Sequence, residues 1–325
     1  MPDATPAPLG RRRVGSTDLE VPAICFGTAP LGDMPDTYGY TVTEEDARAT
    51  VRAILASPFP FIDTSRNYGM GRSEERVGAV ISEMNGLPRG AVISTKLDRD
   101  AENRFSRDQA RRSLEASLQA LNLDRFDILH LHDPEHTADV DEVVREAVPE
   151  LLRIKEEGLA TAVGLAAGRV DVMMPILREF PFDCVITHNR YTLVNRNASE
   201  MIDLARSRGM SVLNAAPYAG GALVTGAKAA TRYVYQEPTD EMLAPVARAE
   251  EACERHDVAL GAAALQFSLR EPRVASTIVG VSKAAHVERT LEWATTDLPD
   301  ALWSDLADLP VSTDDPEATR RYTLG

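Results

Sequence analysis

Eight short apolar segments, each followed by a stretch of helical period, run from about residue 21 to residue 294. No other feature of the chain constrains its fold as tightly. The segments are AICF (23–26), FPFID (59–63), AVIST (91–95), FDILHL (126–131), TAVGL (161–165), DCVIT (183–187), SVLNAA (211–216) and ASTIVG (275–280). Several of the helices between them announce their own starts. Thr43 precedes EEDARATVRAIL, Ser73 precedes EERVGAVI, and Ser106 opens an S-x-x-Q capping box with Gln109. Further helices fit VDEVVREAVPELLRIKEEG, DVMMPILREF, SEMIDLARSRG and KAAHVERTLEWA, with two more in DEMLAPVARAEEACERH and LGAAALQFSLRE. Eight βα units of this size predict an α/β chain closed into a (β/α)8 TIM barrel rather than an open doubly wound sheet, with extra helices outside the repeat.

A chain of 325 residues suits one such barrel. The expected core spans about residues 12–295, and no composition shift marks a second domain. RRRVGSTDLEVP reads as a hairpin before the first barrel strand, with Gly15 to Asp18 as its turn. The polar, Pro-containing end is expected to be a loop or tail over 296–325. A hydrophobic fraction of 44% is ample for a core, and a net charge of -15 argues against nucleic acid and anionic membrane surfaces as partners. Cys25, Cys184 and Cys253 lie far apart without CxxC spacing, which fits buried thiols in a reducing compartment rather than a disulfide framework or zinc site. The opening MPDATPAPLGRRR lacks the apolar stretch of a secretory signal, and no run of eighteen apolar residues occurs. A soluble cytoplasmic protein is expected.

Barrels of this kind carry their chemistry at the C-terminal ends of the strands. Asp63 ends the second strand, Lys96 follows the third, His132 the fourth and His188 the sixth, while Tyr68 sits in the loop after Asp63. A phenol with a pKa near ~10 is a poor proton donor or acceptor at neutral pH. A nearby ammonium is expected to lower that pKa, with Asp63 holding the lysine charged and His132 orienting a substrate oxygen. Such a group suits reversible proton transfer at a carbonyl or alcohol oxygen and leaves the hydride to a cofactor. Each member also has an ordinary structural explanation: Asp63 as a turn residue, Tyr68 as packing, Lys96 as a solvated loop lysine, His130 and His132 as structural histidines on one strand face. Their joint placement at consecutive strand ends favours the chemical reading.

In these motifs the chain resembles the aldo-keto reductase family, barrel enzymes that use a nicotinamide cofactor without a Rossmann domain. The match runs through Asp63-Thr64-Ser65-x-x-Tyr68-Gly69-x-Gly71-x-Ser73-Glu74, Ser94-Thr95-Lys96, Leu131-His132-x-Pro134 and Asn189-x-Tyr191-x-Leu193, and includes the Val14-Gly15-Ser16-Thr17 hairpin. The resemblance implies Tyr68 as general acid/base, Lys96 and Asp63 as the groups that tune it, and His132 as the residue that orients substrate. It implies a cofactor, NAD or NADP, lying along Gly27, Thr28, Asp63 and His188, beneath the loop carrying Ala216, Tyr218, Gly220, Gly221 and Leu223, and against Gly280, Ser282, Lys283 and His286. The glycines around Tyr68 therefore serve the tyrosine's loop; Gly69-x-Gly71 lacks the third glycine of a dinucleotide fingerprint. GALVTGAK (221–228) has Walker-spaced glycines but lacks the directly following Lys and the Ser or Thr of a P-loop.

Two departures from the family pattern stand out. Gly164-Leu165-Ala166-Ala167 replaces the Ser-Asn that grips the nicotinamide carboxamide, and His188 replaces the usual Gln. After the eighth strand, Lys283 is the one firm positive charge before Arg289. A 2′-phosphate calls for bidentate arginine support, so NAD is favoured over NADP. GTAPLG, LHDP, NAAPYAGGAL and YVYQEP are similar to a narrower branch of sugar dehydrogenases acting on L-fucose and other D-threo-aldoses, with L-galactose dehydrogenase and pyridoxal 4-dehydrogenase nearby. That branch implies oxidation of an anomeric hydroxyl to a lactone, a step of carbohydrate metabolism. The alternatives are pyridoxal oxidation and general aldehyde or ketone reduction. From other classes come a metal-dependent barrel hydrolase using His130, His132 and His188, and a non-catalytic redox-sensing subunit. No metal is expected, and the expected partner is a small-molecule substrate.

Overall fold

A computed structural model describes residues 9–320. A short antiparallel hairpin comes first, β1 (Arg11–Arg13) with β2 (Glu20–Pro22). Eight parallel strands follow: β3 (Ile24–Gly27), β4 (Phe61–Asp63), β5 (Val92–Leu97), β6 (Phe126–His132), β7 (Ala160–Ala167), β8 (Cys184–His188), β9 (Ser211–Ala215) and β10 (Val274–Gly280). They close into a barrel in chain order, with β10 pairing back onto β3 through Thr277↔Ile24 to Gly280↔Gly27. Among the described residues no helix is long and apolar enough to cross a membrane.

The two-residue period of a strand divides each segment between the barrel interior and the helical shell. In β5, Ile93 faces the outer core while Val92 joins the inner one, so Ser94 and Lys96 follow Val92 inward. The same alternation in β4 puts Phe61 and Asp63 inside, and in β6 it puts Ile128, His130 and His132 inside with Leu129 and Leu131 outside. Val14 and Val21 of the hairpin pack with Cys25, Phe61, Val92, Ile128 and Leu213, closing the N-terminal end of the barrel. The apolar floor thus gives way to polar groups at the C-terminal ends.

Helix starts differ from the sequence reading at one informative point. Thr43 caps Glu44–Ala56 by accepting from Asp46 N, and Ser106 caps Arg107–Leu121 by accepting from Gln109 N. Gln109 does not return the bond; its side chain donates to Asp98 O at 2.9 Å. Ser73, expected as a cap, lies inside the helix Arg72–Glu83, whose cap is Gly71 at φ 99. Its hydroxyl instead donates to Thr28 O at 2.8 Å and meets Thr64 Oγ1 at 3.1 Å, tying the helix to the ends of β3 and β4.

Two further expectations are corrected. The single helix read over 140–158 is split into Val140–Glu142, a π-type segment Val143–Ala147 and Val148–Glu156, because Pro149 has no N–H for a regular helical bond. The stretch expected as loop from 296 onward contains the helix Asp300–Ala307, which buries Leu302 and Leu306.

Candidate active site

The inward ends of β4, β5 and β6 bring Asp63, Lys96 and His132 together. Lys96 Nζ donates to Asp63 Oδ2 at 2.6 Å and to Thr64 O at 2.7 Å, and Ser94 Oγ donates to the other Asp63 oxygen at 2.9 Å. Lys96 and Asp63 are almost fully buried, with 2% and 3% of their surface exposed, so each charge depends on the other. The Lys96 ammonium also lies 4.8 Å from the centre of the Tyr68 ring. His132 meets that ring edge-on at 5.8 Å.

Glycine geometry fixes the loop that carries the tyrosine. A Cβ on Gly69 would fall 2.0 Å from Gly32 O, so the Tyr68 loop packs backbone to backbone against the loop after β3. Gly71, with φ 99, then starts the helix. Tyr68 is held between these two points, half-buried over Lys96.

Tyr68 titrates contrary to the sequence expectation. Burial pushes its phenol well above the ordinary value, and Asp63, Tyr38, Asp133 and Tyr235 push the same way. The ammonium does not reverse this, because Lys96 is already matched by Asp63 at bonding distance. Tyr68 is therefore a phenol, a proton donor, across the neutral range.

His132 is flanked by acids. Its Nδ1 meets Asp98 Oδ1 at 2.5 Å and Ser65 Oγ at 3.2 Å, while Asp133 Oδ2 stands 3.6 Å from Nε2. Burial opposes charge on this imidazole, yet Asp133 and Asp98 outweigh it and hold the pKa above the ordinary value. Asp98 is itself fixed by Ser65 Oγ at 2.7 Å and Asn67 N at 3.0 Å. Burial works against its ionisation, and His132, Ser65 and Asn67 together keep its pKa below the usual carboxylate value. His130 differs: burial, then Lys96 and His132, push it well below its usual range, and it bridges Ser94 and Cys184 as a neutral structural group. Among the described residues no three His, Cys, Asp or Glu side chains gather as a metal site.

Sequence reading missed Asp98, although the signal was present. Val92, Ser94, Lys96 and Asp98 share one strand period, so the lysine's inward direction carries to the acid two residues on. Asp133 was missed because it breaks period, turning through φ 45 directly after β6.

The residues expected along a cofactor lie mainly at the ends of three neighbouring strands, β9, β10 and β3. Gly27 pairs with Gly280, and Thr28 donates from N and Oγ1 to Asp63 O. Ala216 and Gly220 adopt positive φ, Tyr218 stands edge-on to Trp293, and Gly221 has open space where a Cβ would be. Leu223 departs from expectation: its side chain is fully buried in the core and its N–H bonds Tyr218 O, so neither is offered to a ligand. Lys283 stands at the N-terminus of Ala284–Thr295, which has no side-chain cap, and His286 Nδ1 meets Ser282 Oγ at 3.3 Å. His188 ends β8, the strand next to β9, and pairs with Ala215 there, with Glu317 3.5 Å from its Nδ1.

Beside the Asp63, Tyr68, Lys96 and His132 cluster lies a cavity of about 1230 Å³ lined largely by polar and charged residues. Asp133, Glu135, His136, His188 and Arg190 line it together with Asp315, Glu317 and Arg320 of the C-terminal segment. That segment is fastened across the barrel end by Asn195 Nδ2 to Asp314 O at 3.0 Å and by Arg190 to Asp315 and Glu317 at 2.7 and 2.6 Å.

Comparison with known proteins agrees with this geometry. The aldo/keto reductase family profile matches residues 23–309. D-threo-aldose 1-dehydrogenase of a Pseudomonas species is 30% identical over 318 residues, covering 89% of this chain and 94% of that one. L-galactose dehydrogenase of Arabidopsis thaliana is 31% identical over 285 residues, covering 86% of each. Pyridoxal 4-dehydrogenase of Microbacterium luteolum is 28% identical, covering 91% and 96%. Among solved structures, an aldo-keto reductase of Bacillus halodurans in its holo form superposes with a TM-score of 0.77 at 21% identity, over 96% of this chain and all of that one. Barrel, rim chemistry and relatives agree: this chain belongs to the aldo/keto reductase family of oxidoreductases.

Proposed function

We propose that the enzyme oxidises the anomeric hydroxyl of an aldose to a lactone with a nicotinamide cofactor, NAD in preference to NADP, in the manner of an L-fucose or D-threo-aldose dehydrogenase. The observation that carries this reading is the Tyr68, Lys96, Asp63 and His132 cluster at consecutive strand ends, beside a cavity lined mostly by polar and charged groups. The sequence relatives named for aldose oxidation support the substrate class.

The chain fits the cofactor in three respects. The end of β9, the end of β10 and Gly27 offer small residues side by side. The uncapped helix at Lys283 presents free backbone N–H groups suited to a phosphate. Asn189 Oδ1 is buried and accepts no hydrogen bond among the described residues, as suits an amide donor. Lys283 supplies charge there, whereas burial, Arg289 and Lys283 lower the His286 pKa and keep that ring neutral. Weak positive charge at this point supports NAD.

When bound, the oxidised nicotinamide supplies the hydride acceptor and a positive charge near the reacting carbon. In this reading Tyr68 donates its proton in reduction; in oxidation it first releases that proton to water, a loss that the positive charge of the bound nicotinamide favours, and then takes the hydroxyl proton. His132 Nε2 donates to the substrate oxygen, its ring fixed from behind by Asp98. Lys96 and Asp63 hold the floor beneath the tyrosine in a water-poor setting. Tyr68→Phe is expected to lower turnover by ~10²–10⁴ while leaving the fluorescence-measured affinity for reduced cofactor nearly unchanged. Undiminished turnover in that variant removes Tyr68 from the reaction.

One observation favours a second reading, reduction of aldehydes or ketones. The raised pKa of Tyr68 keeps it in the proton-donating form that carbonyl reduction needs.

A further inference from the structure

Asp133 lies between the catalytic histidine and the polar cavity. Its Oδ2 is 3.6 Å from His132 Nε2, and the same side chain lines the cavity, whereas Tyr68 and His132 do not. No described residue donates a hydrogen bond to its carboxylate, whose side chain remains 14% exposed. The backbone holds this position at φ 45 and ψ 57, left-handed geometry rarely taken by a residue with a Cβ, and its N–H is fixed to Ala166 O at 2.8 Å. A carboxylate with its backbone held in that geometry, and with only the His132 ion pair at 3.6 Å and no hydrogen bond from a described residue, is placed to accept from something outside the chain.

We propose that Asp133 selects substrates by accepting a hydrogen bond from a hydroxyl on the carbon next to the reacting carbon, so that the enzyme prefers α-hydroxy aldehydes and aldoses. The proposal deepens the aldose reading above and rests on it for the identity of the reaction. His132 Nδ1 is committed to Asp98 and Ser65, which leaves Nε2 to meet the reacting oxygen. An α-hydroxy aldehyde carries its two oxygens on adjacent carbons. With one oxygen at Nε2, the other comes within reach of the carboxylate beside it. An ionised carboxylate only accepts, so it recognises a hydroxyl and not a ketone or a second carboxylate. Burial opposes the charge of Asp133, while His132, His188, His136 and Arg99 favour it and keep the carboxyl below its usual range. A substrate without the hydroxyl strands that carboxylate without a partner, which is the costlier error for a polar site.

The test compares kcat/KM for reduction of glyceraldehyde and of propanal, which lacks the 2-hydroxyl, in the wild type, Asp133→Gly and Asp133→Asn. Glycine suits the left-handed backbone and deletes the carboxylate; asparagine keeps the shape without the charge. The wild type is expected to prefer glyceraldehyde by ~10–100-fold. Asp133→Gly is expected to bring the ratio to within about threefold of unity, through the KM for glyceraldehyde, with Asp133→Asn between the two. Melting curves and reduced-cofactor affinity check that both variants are folded. A wild-type ratio near one, or equal losses on both aldehydes in Asp133→Gly, overturns the proposal. A hydroxyl preference that Asp133→Gly abolishes, in an enzyme that forms no lactone from any aldose, sinks the aldose reading and leaves the role of Asp133 standing. Failure of a cofactor-loaded wild type to reduce either aldehyde overturns both.

Discussion

Glu74 offers a quantitative test of how the floor beneath Tyr68 is built. The side chain is fully buried behind β5, where Thr95 Oγ1, next to Lys96, donates to Oε1 at 2.6 Å. Oε2 has no hydrogen-bond partner among the described residues, and Arg66 is 3.9 Å away. Burial raises the pKa from 4.5 to about 7; the Thr95 and Ser117 hydroxyls pull it back only in part, and Asp98 adds to the rise. The folded protein therefore keeps this proton up to about pH 7, while the unfolded chain releases it near ~4.3. Because the folded state binds the proton more tightly, its stability from this group is complete at low pH and declines as pH rises between those values. At ~1.36 kcal/mol per tenfold change in proton concentration, the loss by neutral pH is about 3 kcal/mol. Glu74→Gln, which cannot ionise, is expected to match the wild type near pH 4.5 and to gain up to about 3 kcal/mol above pH 7. With an unfolding entropy of ~2.1 cal/mol/K per residue, that gain corresponds to ~4–5 °C in Tm for a chain of this length. Paired thermal or urea melts by circular dichroism from pH 4.5 to 8 measure it, and the variant-minus-wild-type difference cancels Glu135, which is also raised to about 7. A difference that stays flat across this range refutes the reasoning, because Glu74 must then be ionised in the folded state.

Other outcomes follow from the same geometry. Asp98→Asn removes the carboxylate on His132 Nδ1 and one of the two charges that raise its pKa. The charge on His132 is lost as pH rises through that pKa, so the limb of the kcat/KM profile that falls with rising pH should move to lower pH in the variant; an unmoved limb contradicts the pairing. Lys96→Met leaves Asp63 charged and buried, and denaturant titration should show a loss of ~3–5 kcal/mol that the double variant with Asp63→Asn recovers in part. A double variant no more stable than the single one contradicts the pairing as the source of the loss. Lys283→Ala should weaken NADP binding by about tenfold and NAD binding less, since the 2′-phosphate that the lysine would meet is carried by NADP and not by NAD. Equal weakening, measured by fluorescence titration, contradicts its placement at that phosphate.

The fold was legible in the sequence because strand period and chain order act locally. The expected strand segments fall within one or two residues of β3 to β10, and Thr43 and Ser106 cap their helices, although Gln109 turns to Asp98 instead of completing the box read at Ser106. Ser73 misled because its cap signal competes with a tertiary bond to Thr28, which no local pattern reveals. Asp63, Lys96 and His132 were readable since each ends a strand at an inward position. The titration of Tyr68 was not: its pKa is raised first by burial, then by Asp63, Tyr38, Asp133 and Tyr235, which come from separate parts of the chain. The C-terminal segment was illegible for the same reason, as Asp315 and Glu317 gain meaning only when Arg190 is found beneath them.

The most direct test of the central claim is the appearance of reduced cofactor when the wild type meets L-fucose, L-galactose, D-arabinose or pyridoxal with NAD or NADP, with lactone assayed in the product. Reduction by the aldoses, faster with NAD and matched by lactone, is the expected result. Reduction by pyridoxal alone contradicts the aldose assignment while keeping the chemistry of Tyr68. Absence of reduction with every substrate, despite measurable cofactor binding, contradicts the proposed oxidation altogether.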